Sequence, residues 1–290
     1  MSGATIREAR ADDFPRVLPL LREFRNEQLT DADWHRLFED HSGVQGDTFG
    51  YVLEDAGEVV GFIAAIRSER EVRGERLRFV NASSWIVRDA YRAHSLPLFV
   101  KLLADRQAVV TNLSPTPQVL EMMLKLGFTR LDMTQRILVP SLAGLFGKAR
   151  VVTGRAALER ELTGEPLRFL RDHDLPFHRH ALVRAPEGSC YLMANRSSKQ
   201  VRRGLRLPFA RVHHVSAPDV LVRHAPQVAL RLALAFGVVG VVVDERMLGG
   251  AVPAHSRPRP GGARTAAYRS KVVEGTDVDG LYTESVLLNF

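Results

Sequence analysis

The sequence has little of what defines several specialised protein classes. Cys190 is its single cysteine, so no internal disulfide can form, and the surrounding apolar run SCYLMA predicts a core position for this thiol. The longest apolar run, residues 232–243, is too short to span a membrane. The opening MSGATIREARADD has no apolar centre of the kind that signal peptides carry. These absences predict a cytoplasmic protein.

The charge balance is basic, with a net charge of +7 and a pI of about 10. Such a balance favours nucleic acid, acidic membrane surfaces or a phosphorylated cofactor. The arginines are spread along the chain, however, and arginine on solvated faces is the simpler explanation. The run RSSKQVRRGLRLPFAR (196–211) lacks interleaved exposed aromatic residues, which makes nucleic-acid binding unlikely and favours a solvated connector between two strands.

Hydrophobic periodicity predicts alternating strands and helices in the first half of the chain. Pro15 is typical of the first turn of a helix, and Gly127 is typical of the residue in left-handed conformation that ends one. Strands are predicted at 5–9, 49–53, 59–66, 78–87 and 108–113, and helices from Phe14 and at 31–39, 96–104 and 115–126.

The second half repeats this order after a shift of 129 residues, with few identities. The stretch 253–264, rich in Pro, Gly and Arg, is predicted to be a mobile loop. Strands are predicted at 180–184, 189–195, 207–215, 238–244, 267–273 and 281–288, with a helix at 226–235. We expect an N-terminal domain (1–139), a helical connector (140–175) and a C-terminal domain (176–290).

Three segments within residues 1–135 together resemble the GNAT superfamily of N-acyltransferases. The opening IREARADDFPRVLPLL is similar to the family's first strand and helix. WIVRDAYRAHSLPLFVKLL is similar to its fourth strand, cofactor loop and third helix, and TNLSPTPQVLEMMLKLGF to its fifth strand and next helix. The resemblance implies an α/β (α+β) fold of two tandem GNAT-like domains, each with a mixed, mostly antiparallel sheet flanked by helices.

The resemblance also implies an acyl-CoA site in the middle segment. The family holds the pyrophosphate on backbone N–H groups at a helix start, in a loop of Arg or Gln, two residues, Gly, one residue, and Gly or Ala. Arg92 matches this loop, whereas Ser95 replaces the first Gly and Pro97, which has no N–H, takes the second small position. A plain strand-to-helix junction is the structural alternative. The implied cofactor contacts are Ile86, Val87, Arg88, Arg92, Ala93, His94, Ser95, Leu96, Asn112 and Ser114.

Acyl transfer to an amine needs the amine deprotonated and the leaving thiolate protonated. A tyrosine often supplies the second proton in the family, but Met123 stands at that position and cannot donate one. No general base can be named, because Glu27, Asp47 and Asp89 are equally explained as surface charges. In the second half Asp219 would repel a pyrophosphate, so we expect that half not to bind coenzyme A.

Three histidines lie close together in FLRDHDLPFHRHAL: His173, His178 and His180. With Asp172 and Asp174 they could form a metal site, but no HExxH motif or cysteine pair supports one. Helix-capping and surface roles are favoured instead, and no metal is expected.

The predicted function is acyl transfer from acyl-CoA, such as acetyl-CoA, to an amine on a small molecule. Two alternatives stay open: a donor that is long-chain or linked to an acyl carrier protein, and a non-catalytic GNAT-fold protein with a binding or scaffolding role. An oligomer is also possible.

Overall fold

The computed structural model describes residues 3–202, 204–259 and 265–289. Within them the chain forms two seven-stranded sheets, each antiparallel apart from one parallel pair. The first sheet has the order β1 (Thr5–Glu8), β2 (Gly50–Asp55), β3 (Glu58–Val72), β4 (Glu75–Val87), β5 (Val109–Asn112), β14 (Ala267–Arg269) and β6 (Thr129–Arg130). The second has the order β8 (Arg150–Val152), β9 (His178–Ala185), β10 (Gly188–Arg202), β11 (Leu205–Val215), β12 (Val241–Asp244), β7 (Gln135–Leu138) and β13 (Ser256–Pro258).

Helices flank both sheets, and their ends follow local chemistry. The Thr116 hydroxyl accepts the Val119 N–H at 3.3 Å, and Gly127 with φ +81° follows the same helix, as predicted. The helices are α1 (Phe14–Arg22), α2 (Asp31–His35), α3 (Ser95–Lys101), α4 (Pro117–Lys125), α5 (Arg155–Glu161), α6 (Gly164–Asp172), α7 (Pro218–Arg223), α8 (Ala225–Phe236) and α9 (Glu284–Leu287).

The two sheets are built alike and exchange one strand. The order β1, α1, α2, β2, β3, β4 of the first half returns as β8, α5, α6, β9, β10, β11 in the second. Next to the parallel pair, however, the first sheet holds β14 from near the C-terminus, and the second holds β7 from before residue 139. The repeated order confirms the predicted fold class. The domain boundaries at residues 139 and 175 stay a prediction. β8, α5 and α6 all lie within the predicted connector, residues 140–175.

Three sequence-based predictions of local structure were wrong. Residues 281–288 are a turn followed by α9 rather than a strand, because a fully buried apolar run has no period that separates the two. Residues 256–258 form a strand on β7, and 260–264 of the predicted loop lie outside the described residues. Residues 196–202 and 205–211 belong to the long strands β10 and β11 rather than to a connector, because backbone pairing continues past the apolar residues.

The C-terminal segment, residues 275–289, packs between the two halves. Leu281, Tyr282 and Val286 are at most 1% exposed and belong to one apolar cluster with residues of both halves, among them Phe62 and Tyr191. Gly280 allows this approach, since a Cβ there would lie 2.7 Å from Nδ1 of His213. The segment therefore packs against apolar residues of both sheets.

Candidate functional site

A cleft opens in the first sheet where its two parallel strands part. Residues 79–81 of β4 pair with residues 109–111 of β5, and beyond these pairs the strands diverge. A β-bulge shapes the β4 wall: Phe62 pairs with Ile86 and Ala64 with Ser83, so β4 holds one extra residue, and Ser84 has φ +49°. The result is a cavity of about 320 Å³.

Polar and aromatic side chains both line the cavity. Ser83, Ser84 and Trp85 line it from β4, Asn112 and Ser114 from the end of β5. Phe24 and Trp34 line it from the α1–α2 region, with their rings stacked at 5.9 Å. Nε1 of Trp85 is buried and has no hydrogen-bond partner among the described residues. This indole N–H is available to a ligand oxygen.

A buried carboxyl group adjoins the cavity from the C-terminal segment. Glu284 is 0% exposed, and its Oε1 accepts a hydrogen bond from the Ser114 hydroxyl at 2.7 Å. Its backbone N–H donates to Oδ1 of Asn81 at 3.2 Å, and the Asn81 amide donates to Oγ1 of Thr111 at 3.1 Å. These bonds hold the carboxyl behind Ser114, at the point where β4 and β5 part.

Burial raises the pKa of Glu284 above its ordinary value, although the hydrogen bond from Ser114 opposes the shift. A carboxyl group with a raised pKa is a better proton acceptor near neutral pH than an exposed one. The sequence analysis missed this residue. The available signal was a single acid in the apolar run LYTESVLLNF, and only the fold brings it to Ser114.

Two of the predicted cofactor contacts, Asn112 and Ser114, line the cavity; the other eight, between residues 86 and 96, do not. Ile86 and Val87 are half-buried against apolar side chains of the first half, and Ala93 and Leu96 are exposed. Ser95 begins α3. The structure therefore separates a cleft group at the end of β5 from a junction group in the connection from β4 to α3.

The junction offers side chains rather than an open backbone loop. Residues 89–94 form a 3₁₀-helix in which the Tyr91 N–H already donates to the Arg88 carbonyl at 2.9 Å. Arg88 pairs with Glu58, and Arg92 pairs with Asp89 at 2.8 Å with 76% of its side chain exposed. Nδ1 of His94 is buried without a partner among the described residues. Exposed ion pairs contribute under about 1 kcal/mol, so these arginines can turn to a phosphate, and the residues fit a pyrophosphate held by side chains.

Other residues that the sequence singled out lie away from this chemistry. Met123 is fully buried in the apolar core, and Glu27, Asp47 and Asp89 are exposed and do not line the cavity. Cys190 is fully buried as predicted, and burial raises the pKa of its thiol to about 11.

The three neighbouring histidines are buried rather than on the surface, so the predicted surface role was wrong. Each ring uses both nitrogens inside the protein. His180 bonds the Tyr191 hydroxyl at 2.8 Å and the His173 carbonyl at 2.7 Å, and His178 bonds the Leu175 N–H and the Val286 carbonyl, both at 3.1 Å. His173 bonds the Phe169 carbonyl at 3.0 Å and the Tyr282 N–H at 3.4 Å. The described residues contain no group of three or more side chains that could hold a metal ion.

Solved structures resemble this fold over most of the chain. A GCN5-related N-acetyltransferase from Anabaena variabilis is 12% identical with a TM-score of 0.58, covering 92% of this chain and 72% of its own. One from Kribbella flavida is 15% identical with a TM-score of 0.57 (93% and 71%), and Eis1 from Mycobacterium abscessus is 14% identical with a TM-score of 0.54 (91% and 72%). No protein-family model matches the sequence, and no curated protein matches it. In the described part of the chain, no helix has the length and apolarity to cross a membrane. The likeness establishes a tandem GNAT fold.

Proposed function

From the tandem GNAT fold, we propose that this chain is an N-acyltransferase that moves an acyl group from acyl-CoA to an amine on a small molecule. The reaction takes place in the cleft between β4 and β5. The observation that carries the proposal is the Glu284 carboxyl, which is buried and accepts a hydrogen bond from Ser114, a residue that lines this cleft.

The cleft and the junction have different tasks in binding the donor. Arg88, Arg92 and His94 hold the pyrophosphate at the junction, and the acyl-pantetheine arm follows β4 to the bulge at Ser84. The bound thioester supplies the electrophilic carbonyl carbon. The Trp85 indole N–H and backbone N–H groups at the bulge polarise its oxygen, because donors fixed in a partly dry cleft need no reorganisation during the reaction.

The amine loses its proton through Ser114 to Glu284. As the amine nitrogen attacks the carbonyl carbon, the C–N bond forms and the C–S bond breaks, so the thiolate leaves with the bonding electrons. The Ser114 hydroxyl passes its proton to Glu284 across the 2.7 Å hydrogen bond and takes one from the amine. Solvent at the cleft mouth protonates the thiolate, since Met123 is buried elsewhere.

The test is thiol release from acetyl-CoA and from a long-chain acyl-CoA, with a panel of small amines. Glu284→Gln keeps the shape of the side chain and removes the proton acceptor, so we expect kcat/KM to fall about 10²- to 10⁴-fold. Glu121→Gln, on the exposed face of α4, makes the same chemical change and should leave the rate unaltered. In the unmodified protein, kcat/KM should rise with pH through the raised pKa of Glu284.

Two outcomes would contradict parts of this proposal. No saturable binding of any acyl-CoA by titration calorimetry, with no transfer from an acyl carrier protein, would favour the non-catalytic alternative. Transfer from an acyl carrier protein alone would keep the reaction and change the donor. Arg92→Glu should weaken acyl-CoA binding if the junction holds the pyrophosphate.

A further inference from the structure

The second sheet has its own cleft at the equivalent position. β11 and β12 pair in parallel only at Ala210 with Val241 and Arg211 with Val242, and β11 carries a bulge between the pairs Met193–His214 and Ala194–Val212. Beyond these pairs lies a cavity of about 460 Å³. The end of β3, the start of α6 and the C-terminal segment also line it, so both halves contribute to this cavity.

A histidine–carboxylate pair lies on the cavity wall. Nδ1 of His214 is 2.7 Å from Oδ2 of Asp279, and the other oxygen of Asp279 pairs with Arg70. Burial alone would raise the pKa of Asp279, but the Arg70 charge and the His214 hydrogen bond lower it well below its ordinary value. An ionised carboxylate only accepts hydrogen bonds, so Nδ1 of His214 donates, and in the neutral ring Nε2 is an acceptor.

Two buried guanidinium groups lie on the same cavity wall with donors to spare. Arg246 is 5% exposed, and its single paired nitrogen, Nη2, lies 2.9 Å from Asp244. Its Nε and Nη1, and Nε of Arg70, have no hydrogen-bond partner among the described residues. A buried donor without an acceptor is destabilising, and an oxygen ligand in the cavity would supply the missing acceptor.

We propose that this second cleft binds a small aminocarboxylate. The carboxylate accepts from the unpartnered N–H groups of Arg246 and Arg70, and the amino group donates to Nε2 of His214. Glu71 lines the same cavity and favours a positive amino group. No acyl donor takes part in these contacts, so binding of the aminocarboxylate does not depend on the proposed acyl transfer.

The charges select this ligand class over a phosphorylated one. Asp244 and Asp279 already offset the charge of the two arginines, and Arg168 and Arg73 pair with the wall acids Glu165 and Asp277, so Glu71 is the acid that the wall adds. A phosphate dianion would face these acidic groups, whereas a zwitterion adds no net charge to the cavity.

The experiment is saturation-transfer NMR on the full chain with the standard free L-amino acids, in the absence of acyl-CoA. Each amino acid that binds is then titrated beside its decarboxylated amine and its deaminated carboxylate. We expect saturable binding of at least one amino acid, with both truncated analogues at least tenfold weaker.

Arg246→Lys keeps the charge beside Asp244 but removes the planar set of donors, and it should weaken binding about 10- to 100-fold. His214→Gln is the second variant and should weaken the amino acid more than the deaminated carboxylate. Arg223→Lys, an exposed change in the same half, is the matched control and should bind as the unmodified protein does. Thermal unfolding checks that each variant is folded. Failure of every amino acid to bind, or equal binding in folded Arg246→Lys, would overturn the proposal whatever the thiol-release assay shows.

Discussion

Glu284, His178 and His180 are titratable side chains that folding removes from water, and burial moves their pKa values in opposite directions. Glu284 takes up its proton more readily, whereas the pKa of each histidine falls to about 4. The family resemblance implied Asn112 and Ser114 as cofactor contacts, and both line the cavity. Sequence reasoning could not place Glu284, since its partner Ser114 is 170 positions away in the chain.

The buried histidines predict a loss of stability in mild acid. Their pKa values in the folded protein lie below the ordinary value near 6.5, so the unfolded chain binds more protons as the pH falls. The stabilisation that these neutral histidines contribute to the fold is fully present above pH 6.5 and is lost as the pH falls from 6.5 to about 4. At pH 5 each histidine should lower the free energy of unfolding by about 2 kcal/mol.

Urea unfolding of His180→Gln at pH 7 and pH 5 checks this prediction. The variant retains amide hydrogen-bonding capacity near Tyr191 but cannot titrate, so its stability should fall by less than that of the unmodified protein between the two pH values. His35→Gln removes a histidine with 48% of its side chain exposed and should leave the difference unchanged. An equal pH effect in His180→Gln would contradict the assignment.

For helices and strands, prediction from the sequence succeeded where polar or turn-forming residues flank an apolar pattern. The β2–β3 hairpin, α1 and α4 were all predicted because turns, prolines and Gly127 mark their ends. It failed for residues 281–288, which are buried on every side. The bulge at Ser84 also left no signal, since its cause is the register of β4 on β3. The cleft geometry depends on such registers more than on composition.

Gly50 provides a test of how tightly the β2–β3 register is held. It has φ +139°, and a Cβ there would lie 2.0 Å from the Ile63 carbonyl oxygen, which is backbone and cannot turn away. Gly50→Ala should therefore destabilise the protein by about 3 kcal/mol in chemical unfolding. Gly154→Ala, where the added atom meets nothing within 4 Å, should cost under about 1 kcal/mol. Equal effects of the two changes would mean that β2 shifts to make room.

For the whole molecule, the exchange of β7 and β14 joins two units that the sequence presents as a simple repeat. Each sheet is completed by a strand from the other half, and the C-terminal segment packs against both. A repeat in sequence order predicts two similar sheets, but it cannot tell which chain segment fills an equivalent place in them. The C-terminal segment consequently reaches the clefts of both sheets: Glu284 adjoins the first through Ser114, and Asp279 lines the second.

The exchange predicts that the two halves unfold together. Both tryptophans, Trp34 and Trp85, lie in the first half, so their fluorescence reports that half, whereas far-ultraviolet circular dichroism reports both. The two probes should give coincident urea transitions, because neither sheet retains its full set of strands when the other unfolds.

A substitution in the second sheet makes this prediction sharper. Val241 on β12 is fully buried, and Val241→Ala should lower stability by about 2 kcal/mol. Tryptophan fluorescence should then show the same shift in midpoint as circular dichroism, although no tryptophan is near the change. Val239→Ala, at a position 44% exposed in the same segment, should shift neither probe. If Val241→Ala moved only part of the circular dichroism signal and left the fluorescence midpoint in place, the halves would be independent folding units and the exchanged strands would not couple them.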